Sequence, residues 1–111
     1  MIRLNNNRKR VLIVGAGNRV QNYILPALTY LGADYKIEGV SSRTNKNHQL
    51  IRNNWNIFTS TRLKNFNLNR VDWIIIAVNI NEVPEIIRKL CSFGMEDKEI
   101  FLDTPVLGIK D

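Results

Sequence analysis

Apolar positions in this chain follow two patterns, and the two alternate. Val11-Leu12-Ile13-Val14 and Trp73-Ile74-Ile75-Ile76-Ala77-Val78 are short, unbroken apolar runs. Runs of this length suit strands covered on both faces. Residues 35–41, with Ile37 and Val40 apolar, read as another strand. Residues 56–59 read as a short edge strand and residues 99–103 as a fifth. Between these runs the period changes. Val20, Ile24, Leu25, Leu28 and Leu31 recur at steps of three and four, the stripe of an amphipathic helix. Asn18 is placed to cap it and Gly32 to end it. Pro26 inside the stripe predicts a kink or local break. Residues 45–54 form a weaker, polar helix. Val83, Ile86, Ile87 and Leu90, extended by Phe93, line one face of a third helix. Asn79 or Asn81 would cap it, Pro84 falls in its first turn and Gly94 stops it. Residues 60–71 show no period; Leu63, Phe66 and Leu68 are their apolar anchors.

Strands alternating with helices at this spacing predict an α/β fold with a parallel sheet and right-handed crossovers. Five strands in a Rossmann-like, doubly wound sheet take the order 3-2-1-4-5. The chain has 111 residues, enough for one domain with a real core. Residues 1–9 read as a flexible lead-in and residues 10–111 as the domain. No stretch approaches the ~18 apolar residues of a membrane span. The amino-terminal residues lack the apolar core of a secretory signal. Cys91, the single cysteine, excludes an internal disulfide framework and a cysteine-built metal site. These features point to the cytoplasm and away from membranes.

Charge is uneven. Residues 1–64 carry +9 and residues 65–111 carry −3, within a total of +6. A basic half suits a polyanion, either nucleic acid or a small molecule. Apart from Arg8-Lys9-Arg10 the basic residues are scattered, without the aromatic and basic interleaving of a single-strand-binding module. The alternative is an ordinary solvated basic surface, and nucleic acid is not the expected partner. His48, the lone histidine, falls in the polar second helix and reads as a surface residue. Cys91 reads as a small buried residue of the third helix. No catalytic triad, metal-ligand cluster or carboxylate pair can be assembled, so no catalytic residue and no metal are assigned.

In a doubly wound sheet, ligands bind beyond the carboxyl ends of the strands, where the strand order reverses. Here that gap lies between the first and fourth strands. Gly15 and Gly17 form one lip and residues 79–81, beginning with Asn79, the other. Gly15 permits the tight turn. Gly17 lets backbone approach a pyrophosphate with no Cβ in the way. The N–H groups of Asn18, Arg19 and Val20 then face anionic oxygens at the positive end of a helix. Val20 stands where the fingerprint's third glycine belongs, which loosens the match at a packing position. The end of the second strand selects the cofactor. Ser41-Ser42-Arg43-Thr44 has no acid to hold NAD ribose hydroxyls. The Ser42 hydroxyl followed by the Arg43 guanidinium suits a 2′-phosphate, which favours NADP over NAD.

Five segments together resemble the NAD(P)-binding domain of the glucose–fructose oxidoreductase / inositol dehydrogenase (Gfo/Idh/MocA) family. They are Val11-Leu12-Ile13-Val14-Gly15-Ala16-Gly17, Leu25-Pro26-Ala27-Leu28, Gly39-Val40-Ser41-Ser42-Arg43, Asp72 through Val78, and Phe101-Leu102-Asp103-Thr104-Pro105. The resemblance spans about residues 10–107. It implies a sugar, cyclitol or related alcohol oxidoreductase, with nicotinamide in the crevice and a second domain bringing the substrate. It places Asp103 and Thr104 beside the cofactor, at the family's Glu-Lys-Pro. There Asp103 replaces the glutamate, and Thr104 replaces the lysine that supports proton transfer. Val83 stands at the family's histidine position. The chain reaches Asp111 without a substrate domain. It is thus expected to be a fragment, or half of an oxidoreductase completed by a partner chain. The alternative is a non-catalytic module that senses nucleotide or binds protein. Self-association through an unpaired sheet edge is a further expectation.

Overall fold

The computed structural model describes residues 8–103. Five parallel strands form one sheet: β1 (Lys9–Val14), β2 (Tyr35–Ser41), β3 (Thr59–Ser60), β4 (Trp73–Ile76) and β5 (Glu99–Leu102). Their order is β3-β2-β1-β4-β5, the doubly wound order expected from the alternation of periods. The first strand begins at Lys9, inside the expected lead-in, and the Arg8 guanidinium donates to the Gly32 carbonyl at 3.0 Å. Residues 1–7, the rest of that lead-in, lie outside the described residues, as do Thr104 and Pro105.

The apolar runs divide between two faces because side chains alternate along a strand. Leu12 and Val14 of β1 join Ile74 and Ile76 of β4 on one face. The third helix, α3 (Val83–Ser92), covers them with Val83 and Leu90. Val11 and Ile13 join Val40 on the other face, under Val20, Leu25 and Leu28. β4 is less enclosed than its unbroken run suggests: Ile74 and Ile76 are buried, Trp73 and Ile75 half-buried. The covering helix on that face lies over β1 and β2, so an aromatic row, Tyr35–Trp73–Phe101, closes the sheet there. Its ring centroids are 4.9 and 5.0 Å apart.

The first helix carries the expected break. A π-helical segment, Val20–Ile24, precedes α1 (Leu25–Tyr30). Pro26 has no N–H, and its ring would crowd the Asn22 carbonyl in a regular α turn. Widening the preceding turn, with Leu25 N–H donating to the Val20 carbonyl, accommodates both. Asn18 does not cap this helix. It lies within the first turn, and the Gly17 carbonyl accepts the first bond, from Gln21 N–H at 3.0 Å. Gly32 does not take the left-handed cap conformation; Leu31 is the cap.

The remaining differences are local. α2 is shorter than the expected polar helix, Asn47–Arg52. β3 starts three residues later than expected, ends one later, and pairs only Thr59 with Val40 and Ser60 with Ser41. Phe58, just before it, packs edge-on to Phe66, with centroids 5.1 Å apart. Residues 60–71 form two 3-10 turns, Leu63–Asn65 and Leu68–Arg70, with Phe66 buried between them. Asn79 caps a 3-10 turn, Ile80–Glu82, by accepting from Asn81 N–H at 2.9 Å, and α3 follows directly. Cys91 is exposed, against expectation. Leu90 points inward, and the next residue is turned about 100° away from it on a helix. Phe93 caps α3 and is also exposed, while Gly94 turns the chain at φ +75°. His48 is exposed on α2, as expected.

Candidate functional site

The carboxyl ends of β1, β2 and β4 meet at one residue. Gly15 follows β1 with φ +122°, a conformation essentially reserved for glycine. Its N–H donates to the Ser41 carbonyl at 2.6 Å. A Cβ built on it would lie 2.2 Å from the Ala77 carbonyl oxygen and 2.9 Å from the carbonyl carbon. The turn is thus wedged against the backbone leaving β4. Gly17, two residues on, is the opposite case: nothing lies within 4 Å of an added Cβ, and its φ is ordinary. Its missing side chain leaves open space.

That space belongs to a cleft of about 460 Å³ between the first and fourth strands. Gly15, Gly17, Asn18, Arg19, Ser42, Arg43, Asn79 and Asp103 all line it. Thr104, the remaining expected site residue, lies outside the described residues. The N–H groups of Asn18, Arg19 and Val20 come before the first intrahelical donor, Gln21, and have no helical acceptor. An anion at this turn would meet unsatisfied donors and the positive helix end.

Two ion pairs cross the cleft. Arg19 makes a forked bond to Asp103, with Nε to Oδ2 at 2.6 Å and Nη2 to Oδ1 at 3.2 Å. It ties the start of the first helix to the end of β5. The hydrogen bond to Asp103 and that carboxylate's charge raise the Arg19 pKa above its ordinary value, so the guanidinium stays charged at any working pH. Arg43 lies 3.8 Å from Glu82, a looser contact with the arginine side chain 80% exposed. Its guanidinium is free to turn to a ligand. Ser42 is buried, and its hydroxyl donates to the Thr44 carbonyl. In this arrangement it shapes the loop and offers oxygen lone pairs rather than a proton.

Glu82 and Lys46 also line the cleft, although neither stands out in the sequence. Gln21 does not stand out in the sequence either. It is buried; its Nε2 donates to the Ala16 carbonyl at 2.8 Å and its Oε1 accepts from Asn53 Nδ2 at 2.6 Å. It therefore fixes the glycine turn from beneath and ties it to the end of α2. One signal exists in the sequence: Gln21 sits three and four residues before Ile24 and Leu25, on the apolar stripe, where a polar residue needs a buried partner. Among the described residues no group of three His, Cys, Asp or Glu could hold a metal ion. No helix among them is long and apolar enough to cross a membrane.

The sequence model of an oxidoreductase family, GFO_IDH_MocA, described by its NAD-binding Rossmann fold, matches residues 9–108. The chain belongs to this family. The Rossmann domain of this family binds a nicotinamide dinucleotide. A solved oxidoreductase from Bacillus cereus shares the fold with TM-score 0.65 at 18% identity, over 85% of this chain and 26% of its own. RSP, a Rex-family repressor, shares it with TM-score 0.66 at 15% identity, over 89% of this chain and 54% of its own. The chain thus spans about a quarter of the first structure's length and about half of the second's. No curated protein matches the chain. The family fold also explains Val20: it is fully buried among Val11, Ile13 and Leu25, so the third glycine position serves packing here.

Proposed function

We propose that residues 10–111 form a cofactor-holding domain whose crevice takes NADP, and that it supplies the dinucleotide half of a sugar or cyclitol oxidoreductase. Open space at Gly17, beside unsatisfied helix-start N–H groups in a cleft that Arg43 also lines, carries this reading. Gly15 and Gly17 admit the pyrophosphate backbone, and the N–H groups of Asn18, Arg19 and Val20 bind its oxygens. Asn79 and Asp103 border the nicotinamide end, and Ser42 and Arg43 the adenosine end. When bound, the cofactor supplies a hydride donor or acceptor. The chain's own residues bind and orient it. Arg19 must share its guanidinium between Asp103 and the phosphates, so the ion pair sets the position of the cleft's mouth.

NADP is favoured because β2 ends in Ser41-Ser42-Arg43 without a carboxylate for the ribose hydroxyls. Arg43→Asp is expected to weaken NADPH binding at least tenfold more than NADH binding, measured by titration calorimetry on the purified chain. Equal losses for the two cofactors would refute the 2′-phosphate role.

A second reading is a nucleotide-sensing or scaffolding module. It is favoured by the acid–base content of the crevice: among the described residues the carboxylates that line it, Glu82 and Asp103, are both engaged by arginines, and no His or Cys lines it. The family fold serves a repressor as well as an oxidoreductase. NADPH binding without turnover of any sugar alcohol, even with a substrate-domain partner added, would favour the module.

The partner surface we propose is the edge of β5. Among the described residues β5 has a neighbour on one side only, and Phe101 and Leu102 are 42% and 55% exposed. A partner chain or a second copy would pair there. Sedimentation should show mass rising with concentration; a monomer throughout would argue against self-association.

A further inference from the structure

A second cavity, of about 730 Å³, opens beside the glycine cleft and shares Gly15, Ser42, Arg43, Val78 and Glu82 with it. Its size falls within the ~300–1,000 Å³ typical of small-molecule sites. Its lining is cationic on balance: among the described residues Arg43, Arg62, Lys64 and Lys89 stand against Glu82 and Glu85. One wall carries Glu82, just before α3, and Glu85 and Lys89 on it, with Glu85 paired to Arg88. The opposite wall is the loop after β3, which brings Arg62 and Lys64. Neither forms an ion pair among the described residues.

The sheet delivers these cations to one place. β2 and β3 pair at their last residues, Ser41 with Ser60, and Ser42 N–H donates to the Ser60 carbonyl at 3.2 Å. The segments leaving the two strands, Ser42-Arg43 and Thr61–Lys64, therefore emerge side by side. The second segment is held in shape. Ser60 Oγ accepts from Arg62 N–H at 3.1 Å and from Asn65 Nδ2 at 2.8 Å, and a 3-10 turn follows. Burying like charges together without an anion would be unfavourable; exposed around a cavity mouth, they form a site for one.

We propose that Arg62 and Lys64, together with Arg43, form a phosphomonoester site in this second cavity, and that it takes the 2′-phosphate of an adenosine ribose. The inference rests on the NADP reading and extends it to residues outside the β2 loop. Phosphate is held on the loop wall, where no carboxylate competes; on the α3 wall Glu82 and Glu85 offset Lys89. The apolar floor, from Val14, Leu63, Val78 and Ile86, receives the adenine.

The test uses two fragment probes, adenosine 2′,5′-bisphosphate and AMP, alongside NADPH and NADH. The Arg62→Ala/Lys64→Ala double variant is expected to lose at least tenfold of the preference for the bisphosphate over AMP. NADH affinity should stay within twofold, and the salt dependence of bisphosphate binding should fall. Both positions are exposed, so the melting temperature is a folding control. A double variant that keeps the preference, while Arg43→Ala loses it, overturns the role of Arg62 and Lys64 and leaves the NADP reading standing. A wild-type chain that binds neither dinucleotide overturns both.

Discussion

Gly17→Val is expected to abolish dinucleotide binding while the chain stays folded. An added Cβ has nothing within 4 Å, so the branch starts in open space and little repacking is expected. Gly17 does accept the first helical bond, and valine is a poor residue at a helix start; that costs about 1 kcal/mol. A shift of roughly 4–8 °C in melting temperature corresponds to this. The binding loss is larger. A Cβ in the open space displaces the pyrophosphate from helix-start N–H groups, and each charge-assisted bond contributes about 1.5–3 kcal/mol. Losing two of them weakens affinity more than about 100-fold. Gly17→Ser separates the two effects. Serine caps better than glycine, so stability should hold or rise while binding still falls. Titration with NADPH, with thermal melting in parallel, checks both variants. If Gly17→Val binds NADPH like the wild type, no phosphate passes over this turn.

Gly15→Ala is expected to do the reverse, damaging the fold first. Alanine at φ +122° is strained by about 1–3 kcal/mol. Its Cβ would stand 2.2 Å from the Ala77 carbonyl oxygen, which is backbone and cannot rotate aside. Overpacking of this kind adds about 1–3 kcal/mol. The sum is a large share of the ~5–15 kcal/mol that holds a domain together. Thermal melting should show a drop of about 10 °C or more. A drop under about 3 °C would mean that β1 and β4 separate easily at this turn. The two glycines of one motif therefore fail differently: Gly15 is needed by the protein, Gly17 by its ligand.

Much of this was legible in the chain. The uniform apolar runs of β1 and β4 and the three- and four-residue steps between strands give the sheet and its order, because burial on both faces leaves little choice of residue. The glycine turn was legible too, since only glycine tolerates its geometry. Pro26 announced the break in the first helix, because no regular α turn accepts its ring.

Other features lacked a local signal. Asn18 has a good capping side chain, yet the helix opens one residue earlier, where the Gly15 turn delivers it. Cys91 and Phe93 are apolar enough for a core, but the helix phase set by Leu90 and the end of α3 turn them to solvent. Residues 60–71 have no period, because short 3-10 turns around Phe66 replace a crossover helix. The cationic wall of Arg62 and Lys64 could not be read either, since their neighbours come from β2.

Sequence alone determined the class of fold, the strand order and the family, because periodicity and glycine geometry are properties of consecutive residues. The tertiary structure alone decided that Gly17 faces empty space and Gly15 faces a carbonyl, that Arg19 is held by Asp103, and that Arg43 and Arg62 border one cavity. Each of these depends on which strand ends lie side by side, and the sheet brings together residues up to 84 positions apart.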